Sequence, residues 1–429
     1  MAKSFRFWST LMVIICFVLG ILVYGGGRYS FGIFMKPLAE TMGWSRTQVS
    51  LAVTINLICY GISSPVVGWL LDTIGARKVM VTGALLMMVS LCAMYFAHNI
   101  WMFYFLYGVV SAFGANAVGR IAQASIVANW FVKRRGLMMG VTAISIGLGT
   151  AIMAPVVRYL LDAYGWQLAF VAVGVMMGVL VLLPVLLFVK GQGRPEDRGF
   201  GPDGMPLGES LQTAAAPAPA AGLKGGDWKV SDALRSKAFW AVTLAMGLSY
   251  TADYIVLLHG PADFEDRGYS GATAALVLAT ATLTSCFGRI GFGWLADYAS
   301  IKLGFALMFG LQLIATPLVV IASSEIMLYS FAVIWGVGYG GAAVLLPYAI
   351  AHYFGRSCFS AILGWATMVT VFCGSIGGIV GGLVYDNYHS YQLAWIACGV
   401  LWALAITMVL VLGGRPAPQA QHSLAQATA

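Results

Sequence analysis

Long runs of apolar residues are the feature that most restricts what this sequence can fold into. About 20 consecutive apolar residues are needed for a helix to cross the ~30 Å hydrocarbon layer of a membrane. Twelve runs of this kind are present, at approximately residues 8–35, 47–70, 78–97, 100–128, 135–162, 166–190, 237–259, 270–295, 302–322, 326–353, 358–385 and 391–413. Because lipid offers no hydrogen-bond partners to the backbone, the sequence predicts an all-α membrane protein with twelve transmembrane helices.

Charged residues are too scarce for a soluble domain. They make up 9% of the chain, whereas soluble proteins contain about 25%. The seven cysteines all fall in apolar runs and form neither a C-x-x-C pair nor a metal-ligand spacing. The sequence contains no phosphate-binding loop, no catalytic motif and no metal-binding motif. We therefore expect the protein to be neither an enzyme nor an ATP-driven pump, and to bind no metal and no cofactor.

The distribution of positive charge predicts the orientation in the membrane. The net charge of +8 would suit a nucleic-acid partner, but 17 of the 24 Lys and Arg residues fall in segments on the side of both termini. Four fall on the other side and three lie inside the apolar runs. This asymmetry is typical of the positive-inside rule. We therefore expect a multi-pass protein of the inner (cytoplasmic or plasma) membrane, with both termini cytoplasmic and no nucleic-acid partner.

Composition also predicts the domains. Residues 191–234 are rich in Gly, Pro and Ala and are typical of a flexible linker. They separate an N-terminal six-helix bundle, residues 1–190, from a C-terminal six-helix bundle, residues 235–414. Residues 415–429 are predicted to form a disordered cytoplasmic tail.

The two halves contain an internal repeat. Residues 68–72 (GWLLD) match residues 293–297 (GWLAD), and residues 167–170 (QLAF) match residues 392–395 (QLAW), both at an offset of 225. A constant offset predicts a duplicated six-helix unit, hence two pseudo-symmetric bundles. Transporters built from repeats bind their substrate where the repeats meet. The same offset pairs Arg28 with Asp253.

Residues 68–78 (GWLLDTIGARK) lie in the predicted short loop after the second span. The segment resembles the signature loop of the major facilitator superfamily, through residues Gly68, Leu70, Asp72, Gly75, Arg77 and Lys78. The matching segment of the second half, residues 293–297, retains the aspartate as Asp297. We infer a conformational clamp in which Asp72 pairs either with a basic residue or with a helix terminus. A plain cytoplasmic turn is the alternative.

Four further motifs resemble the oxalate–formate antiporter and monocarboxylate transporter branch of that superfamily. They are residues 29–34 (YSFGIF), 129–131 (NWF) followed by Arg135 and Gly136, 234–240 (LRSKAFW), and 259–262 (HGPA) followed by 266–268 (DRG). The resemblance implies a monomeric secondary transporter for a small organic carboxylate that works by alternating access. Protons or a counter-anion would be further partners.

Arg289 stands in the middle of the eighth apolar run. A guanidinium cannot lose its charge, and burying it in a membrane costs roughly 2.5–3.5 kcal/mol even on the mildest scale. Ser285 and Thr282 are predicted to share its helical face. The resemblance implies that Arg289 holds the substrate carboxylate, for which its two-pronged donor group is suited. A structural ion pair with Asp253 is the alternative.

Two more arginines interrupt apolar runs in the first half. Arg120 is predicted to share a cavity-lining face with Asn116 and Gln123, and we expect it to bind substrate, with helix–helix pairing as the alternative. Arg28 follows glycines 25–27, which weaken a helix and let a neighbour approach closely. It would either bind substrate or pair with Asp253. Tyr29, by resemblance, would offer its hydroxyl to the carboxylate.

The remaining candidates lie in the second half. The resemblance places Trp335 and Tyr339 against the substrate as a wall, with ordinary packing as the alternative. Asp253 and His259 are the proton-coupling candidates because their protonation can change near the working pH, and His259 is also a candidate substrate contact. Ser285 stands where proton-coupled relatives carry an aspartate. Thr370 stands where oxalate carriers have a lysine, which argues against oxalate.

The sequence therefore predicts a secondary transporter that moves a mono- or dicarboxylate by proton symport or anion exchange. Two other functions stay open. An exporter of amphipathic organic compounds would share the fold, but a cavity with three arginines disfavours cationic drugs. A carboxylate sensor that does not transport would need a signalling domain, and the sequence contains none.

Overall fold

A computed structural model describes residues 2–29, 31–205 and 228–412, and within them it contains helices and no strands. The all-α prediction is confirmed. The α-helices in chain order are α1 (Ala2–Gly20), α2 (Phe31–Met42), α3 (Arg46–Ile74), α4 (Ala76–Ala93), α5 (Ile100–Phe103), α6 (Ser111–Val118), α7 (Arg120–Trp130), α8 (Arg135–Phe188), α9 (Val230–Arg235), α10 (Lys237–Asp266), α11 (Gly271–Tyr298), α12 (Ile301–Val320), α13 (Glu325–Phe354), α14 (Phe359–Tyr388) and α15 (Gln392–Leu412). Helix starts at Ser236, Ser270 and Ser300 are capped by the serine side chain, which accepts a backbone N–H.

Eleven helical segments of the described residues are long and apolar enough to cross a membrane. The longest, α8, has 54 residues and is broken at Gly165, where φ is 76° and ψ is 172°. Glycine adopts such a positive φ without steric cost. The break divides α8 into two spans, which accounts for the twelve predicted runs.

Three local departures from a regular α-helix interrupt the spans of the first half. Ile21–Tyr29 and Tyr104–Val110 are π-helical, and α6 and α7 are separated at Gly119. A side chain at Gly25 would collide with the backbone of Gly149 and reach within 2.8 Å of Met153. The predicted close approach at the glycine cluster is therefore confirmed.

The chain divides into two compact units. The first comprises Met1–Lys133, Val141–Ala221 and Arg356–Met368, and the second comprises Arg134–Gly140, Gly222–Gly355 and Val369–Ala429. The core of the first unit includes the stacked aromatic side chains of Phe31, Tyr107, Phe34 and Phe170. The core of the second unit includes the contacting rings of Phe264, Phe331, Trp335 and Trp395.

The first part of the predicted linker is structured. The indole N–H of Trp130 donates to the Gly193 carbonyl at 2.9 Å, and the Asp203 carboxylate accepts the backbone N–H of Lys133 at 2.9 Å. Glu196 pairs with Arg356 at 3.1 Å. Burial lowers the pKa of Arg356, and the Glu196 carboxylate opposes that shift. Residues 206–227 of the linker and the predicted tail at 415–429 lie outside the described residues.

Candidate substrate and gating site

Arg289 lies in α11 and is buried, with 4% of its surface exposed. Helix α11 packs closely on α13 through glycines of both helices. A Cβ atom at Gly340 would lie 2.8 Å from the Arg289 backbone nitrogen, and a Cβ atom at Gly288 would collide with Val337. Small residues at such an interface let two helix backbones approach. The sequence predicts a permanently charged group inside a membrane helix. In the structure, Arg289 is this group, and it is buried in the second unit.

The predicted polar face around Arg289 is only partly buried. Ser285, four residues earlier, is fully buried and donates its hydroxyl proton to the Thr282 carbonyl at 2.6 Å. Thr282 itself is exposed. The predicted face therefore extends from an exposed position at Thr282 to the buried positions of Ser285 and Arg289, and its contact with substrate stays a prediction. The Ser285 oxygen keeps acceptor capacity, but its proton is used within the helix.

Trp335 and Tyr339 form a stacked aromatic pair on α13. Their ring centroids are 4.9 Å apart and the planes differ by 10°. Phe331 extends the stack, with its centroid 6.1 Å from that of Trp335. Trp335 is 1% exposed. The helical spacing predicted from sequence thus produces a continuous aromatic face, and its contact with substrate stays a prediction.

Asp253 is fully buried in α10 and is held by neutral partners. Gln312 Nε2 donates to Asp253 Oδ1 at 2.7 Å, and Ser249 Oγ lies 3.3 Å from Asp253 Oδ2. Among the described residues no Lys, Arg or His nitrogen lies within 4.0 Å of this carboxylate. The alternative ion pair of Asp253 with Arg289 is therefore absent. The side chains of Arg28 and Tyr29 lie outside the described part of the structure, so the pairing of Arg28 stays a prediction.

His259 is separated from this buried network. Its Nε2 lies 2.9 Å from the Gly378 carbonyl, to which a protonated Nε2 donates, and its ring packs on Tyr391 at 5.3 Å. Six residues along α10 place it about 9 Å from Asp253 along the helix axis. The structure thus connects His259 to α14 and does not bring the two proton-coupling candidates together.

In the first unit the predicted face of Arg120 is interrupted. Gly119 has φ −74° and ψ −149°, so α6 ends at Val118 and α7 begins at Arg120. The helical spacing between Asn116 and Arg120 that the sequence analysis assumed is therefore wrong. Gln123 shares α7 with Arg120, but it is 5% exposed and donates to the Val118 carbonyl at 3.2 Å.

Asn116 connects α6 to α3. It is fully buried, and its amide group donates to the Tyr60 carbonyl at 2.9 Å, to Ser63 Oγ at 2.8 Å and to Ser64 Oγ at 3.0 Å. Its NH₂ group is thus occupied by contacts between helices. Any role of Asn116 toward a substrate would have to use Oδ1, which has no hydrogen-bond partner among the described residues.

The predicted gating motif, which comprises Gly68, Asp72, Arg77 and Lys78 with Asp297 in the second copy, is almost entirely helical at residues 68–78 rather than a loop. Helix α3 continues to Ile74, and only Gly75, with φ 90°, separates it from α4. The Asp72 carboxylate accepts the backbone N–H groups of Ser360 at 3.2 Å and Ala361 at 2.8 Å, in the first turn of α14. Of the two predicted partners for Asp72, the structure contains the helix terminus.

The second copy of the motif makes the equivalent contact. Asp297 accepts the backbone N–H groups of Gly136 at 2.7 Å and Leu137 at 2.9 Å, in the first turn of α8. A negative side chain at a helix N-terminus is favourable because the N–H groups there lack partners in the helix. A Cβ atom at Gly293 would lie 2.5 Å from the Gly136 carbonyl oxygen, so the glycine permits the approach.

Gly68 has the same relation to the start of α14, where a Cβ atom would lie 2.9 Å from the Ala361 Cα. The basic residues of the motif make other contacts. Arg77 Nη2 donates to the Leu186 carbonyl at 2.9 Å, and Lys78 is exposed.

Ser249 and Gln312, which are the hydrogen-bond partners of Asp253, were not predicted from the sequence. Gln312 stands in an otherwise strongly apolar run, and Ser249 precedes Asp253 by one helical turn. An isolated amide in a membrane helix is a polar group that requires a partner. That signal in the sequence could have identified Gln312.

Comparisons with known proteins agree with this architecture. The profile of the Major Facilitator Superfamily matches residues 17–377 and 261–428. Monocarboxylate transporter 13 of Rattus norvegicus is 25% identical over 94% of this chain and 88% of that protein. The oxalate:formate antiporter of Oxalobacter formigenes is 22% identical over 93% of this chain and 91% of that protein.

Among solved structures, the proton:xylose symporter XylE superposes with a TM-score of 0.73 at 14% identity, over 96% of this chain and 97% of that one. At this identity the superposition is evidence for the fold. The profile match extends over most of the sequence, and the chain therefore belongs to the Major Facilitator Superfamily.

Proposed function

We propose that this protein moves a small organic carboxylate across the inner (plasma) membrane by alternating access, as a proton symporter or an anion exchanger. As a member of the Major Facilitator Superfamily it is a membrane transporter and not an enzyme. The observation that carries the choice of substrate is Arg289, a permanently charged residue that is 4% exposed within a membrane-spanning helix.

The chemistry of the second unit supports a carboxylate. A guanidinium binds a carboxylate through two parallel hydrogen bonds and compensates its charge. The aromatic face of Trp335 and Tyr339 would contact the carbon skeleton. Relatives named as a monocarboxylate transporter and as an oxalate:formate antiporter support the same substrate class.

The first unit is proposed to contribute Arg120, Arg28, Tyr29 and the Oδ1 atom of Asn116 to substrate binding. Arg120 is only partly exposed and stands at the first position of α7. A helix that starts inside a membrane span directs its backbone N–H groups and positive end toward anions.

The two aspartate caps are proposed to act as the conformational gate. Each holds a helix start that belongs to the other half of the sequence, and each would have to release it during a transport cycle. We also propose a monomer. We propose that both termini lie in the cytoplasm because 17 Lys and Arg residues fall in segments on that side. Labelling of single cysteines placed at Arg134 and Lys36 from the two sides of the membrane tests the orientation.

A thermal-shift assay on the purified protein tests the substrate class. The panel is acetate, pyruvate, malonate and benzoate, each compared with its amide. A ligand at 100 times its Kd stabilises the folded state by about 2.7 kcal/mol, so a bound carboxylate raises the melting temperature and the uncharged amide does not. Equal shifts for acid and amide, or none for any acid, would contradict the proposal.

A follow-up separates the alternatives. Arg289→Lys keeps the charge and loses the two-pronged donor, so it should remove the shift, whereas Arg158→Lys should not, because Arg158 is exposed and pairs with Asp162. Stabilisation by uncharged amphipathic compounds instead would favour the exporter. Binding of a carboxylate without its uptake into proteoliposomes would favour the sensor.

A further inference from the structure

We propose that Asp253, Ser249 and Gln312 form a proton-binding site, in which one proton on Asp253 completes a closed ring of three hydrogen bonds. The protonation of Asp253 follows from the geometry of the second unit alone. Its coupling to substrate movement rests in addition on the proposed transport function.

The three side chains come from two helices and contact one another in a triangle. Gln312 Nε2 lies 2.7 Å from Asp253 Oδ1, Ser249 Oγ lies 3.3 Å from Asp253 Oδ2, and Ser249 Oγ lies 3.2 Å from Gln312 Oε1. All three residues have no exposed surface. Water therefore does not complete the hydrogen bonding of this triangle from outside.

Counting protons decides the ionisation state. Three hydrogen bonds need three protons, one for each side of the triangle. Gln312 supplies one through its amide and Ser249 supplies one through its hydroxyl. An ionised carboxylate has no proton to donate, so Ser249 would have to choose between Asp253 and Gln312, and one buried acceptor would lose its donor.

A protonated Asp253 removes this conflict. Its Oδ2–H donates to Ser249 Oγ, the Ser249 hydroxyl donates to Gln312 Oε1, and the Gln312 amide donates to Asp253 Oδ1. Every contact in the triangle then has one donor and one acceptor. A buried polar network is favourable only when every member is satisfied.

The conclusion does not depend on the orientation assigned to the Gln312 amide. Exchanging its oxygen and nitrogen would place Oε1 against Asp253 Oδ1, two acceptors at 2.7 Å unless the acid carries a proton. The ring then closes in the opposite sense, from Asp253 to Gln312 to Ser249 and back. Both orientations require the same single proton.

The surroundings contain no charge that would replace this proton. The side chains that face Asp253 from the packed helices are the indole of Trp335 on α13 and the thiol of Cys398 on α15. The indole N–H of Trp335 makes no hydrogen bond to the described residues, so it does not supply the missing donor. Cys373 of α14 faces α10 at Gly247, six residues before Asp253. Thiols are uncharged near neutral pH, and no basic nitrogen of the described residues lies within 4.0 Å of the carboxylate.

Opening the triangle provides a route for release. If α10 and α12 separate by a small distance during the transport cycle, Asp253 and Ser249 both lose Gln312. Water then enters between the helices, and the proton of Asp253 leaves to water as the carboxylate becomes solvated. The reverse step takes up one proton from the other side. Ser249 and Gln312 are therefore positioning residues, because they act only through the acid group of Asp253.

Infrared spectroscopy of the protein in proteoliposomes tests the proton directly. A protonated carboxylic acid has a C=O stretch that a carboxylate lacks. We expect this band at neutral pH in the wild type and its loss in Asp253→Asn. Absence of a band that depends on Asp253 would overturn the proposal, whatever the protein transports.

Ser249→Ala tests the ring. In Ser249→Ala the acid proton of Asp253 loses its acceptor, so the C=O band should move in frequency, because this stretch depends on the hydrogen bonding of the acid group. Ser90→Ala is the matched control, because the buried Ser90 hydroxyl bonds only to the Met87 carbonyl of its own helix. An unchanged band frequency in Ser249→Ala, or an equal change in Ser90→Ala, would overturn the ring.

A dye that reports internal pH in the same vesicles completes the test. With acetate as probe, uptake by the wild type should carry protons, and Asp253→Asn should abolish this proton uptake together with the infrared band. If the band behaves as expected but no carboxylate of the panel is transported, the proton site stands and the proposed substrate class fails. If carboxylates are transported but the infrared band is absent, the proposed substrate class stands and the proton site fails.

Discussion

Asp72 and Asp297 are single residues whose contacts give a quantitative expectation. Each accepts two backbone N–H groups at a helix start that would otherwise lack partners. Removing a capping side chain costs about 0.5–2 kcal/mol of stability. We expect Asp297→Ala to lower the free energy of unfolding by an amount in this range, which is measured as a lower melting temperature of the purified protein in a mild detergent.

Asp162→Ala is the control for this prediction. Asp162 also carries a charge, but it is more than half exposed and pairs with Arg158 on the same helix. Exposed pairs of this kind contribute only about 0–1 kcal/mol. Equal melting temperatures for the two variants would show that the cap at Asp297 does not stabilise the conformation described.

For single residues, burial could be predicted from the sequence but hydrogen-bond partners could not. The burial of Arg289 and of Asp253 was predictable, because charges inside membrane spans have to turn away from lipid. The partners were not predictable. A polar side chain in a helix can bond to its own backbone, as Ser285 does, or to a neighbouring helix, as Asn116 does. The choice depends on which helix lies opposite, and spacing along one helix does not contain that information.

The packing of α11 on α13 gives a prediction at the scale of elements. A Cβ atom at Gly340 would lie 2.8 Å from the Arg289 nitrogen, whereas one at Gly291 of α11 would meet no atom within 4 Å. Overfilling a packed interface typically costs about 1–3 kcal/mol. Gly340→Ala should therefore lower the melting temperature and weaken carboxylate binding in the thermal-shift assay.

Gly291→Ala is the matched variant on the same helix as Arg289. It should leave binding unchanged and stabilise the helix by up to about 1 kcal/mol, because alanine restricts the unfolded chain more than glycine does. Loss of binding in Gly291→Ala, or its retention in Gly340→Ala, would show that close packing of these helices does not position Arg289.

The existence of the helices was predictable from the sequence, and their interruptions were not. Run length and hydropathy identify a span because the membrane thickness fixes the number of residues that cross it. They contain no information on the backbone path inside the span. The helix break at Gly119 and the π-helical segments at Ile21–Tyr29 and Tyr104–Val110 therefore became visible only in the structure.

The internal repeat links the sequence to the molecule as a whole. An offset of 225 relates Asp72 to Asp297 and Gly68 to Gly293. In the structure both aspartates cap the first turn of a helix, and both glycines allow that helix start to approach. The repeat predicted equivalent elements because a duplicated chain folds twice by the same contacts. Substrate identity has no such internal copy and could not be predicted.

The central claim is carboxylate transport anchored on Arg289, and uptake into proteoliposomes tests it most directly. Radiolabelled acetate, pyruvate, malonate and benzoate are compared in the wild type, Arg289→Lys and Arg158→Lys. Hydrogen bonds to charged groups contribute about 1.5–3 kcal/mol, so loss of one should slow uptake about 10- to 100-fold. We predict uptake of at least one carboxylate by the wild type and Arg158→Lys, with that loss in Arg289→Lys. Wild-type uptake in Arg289→Lys, or no uptake of any carboxylate by the wild type, would contradict the claim.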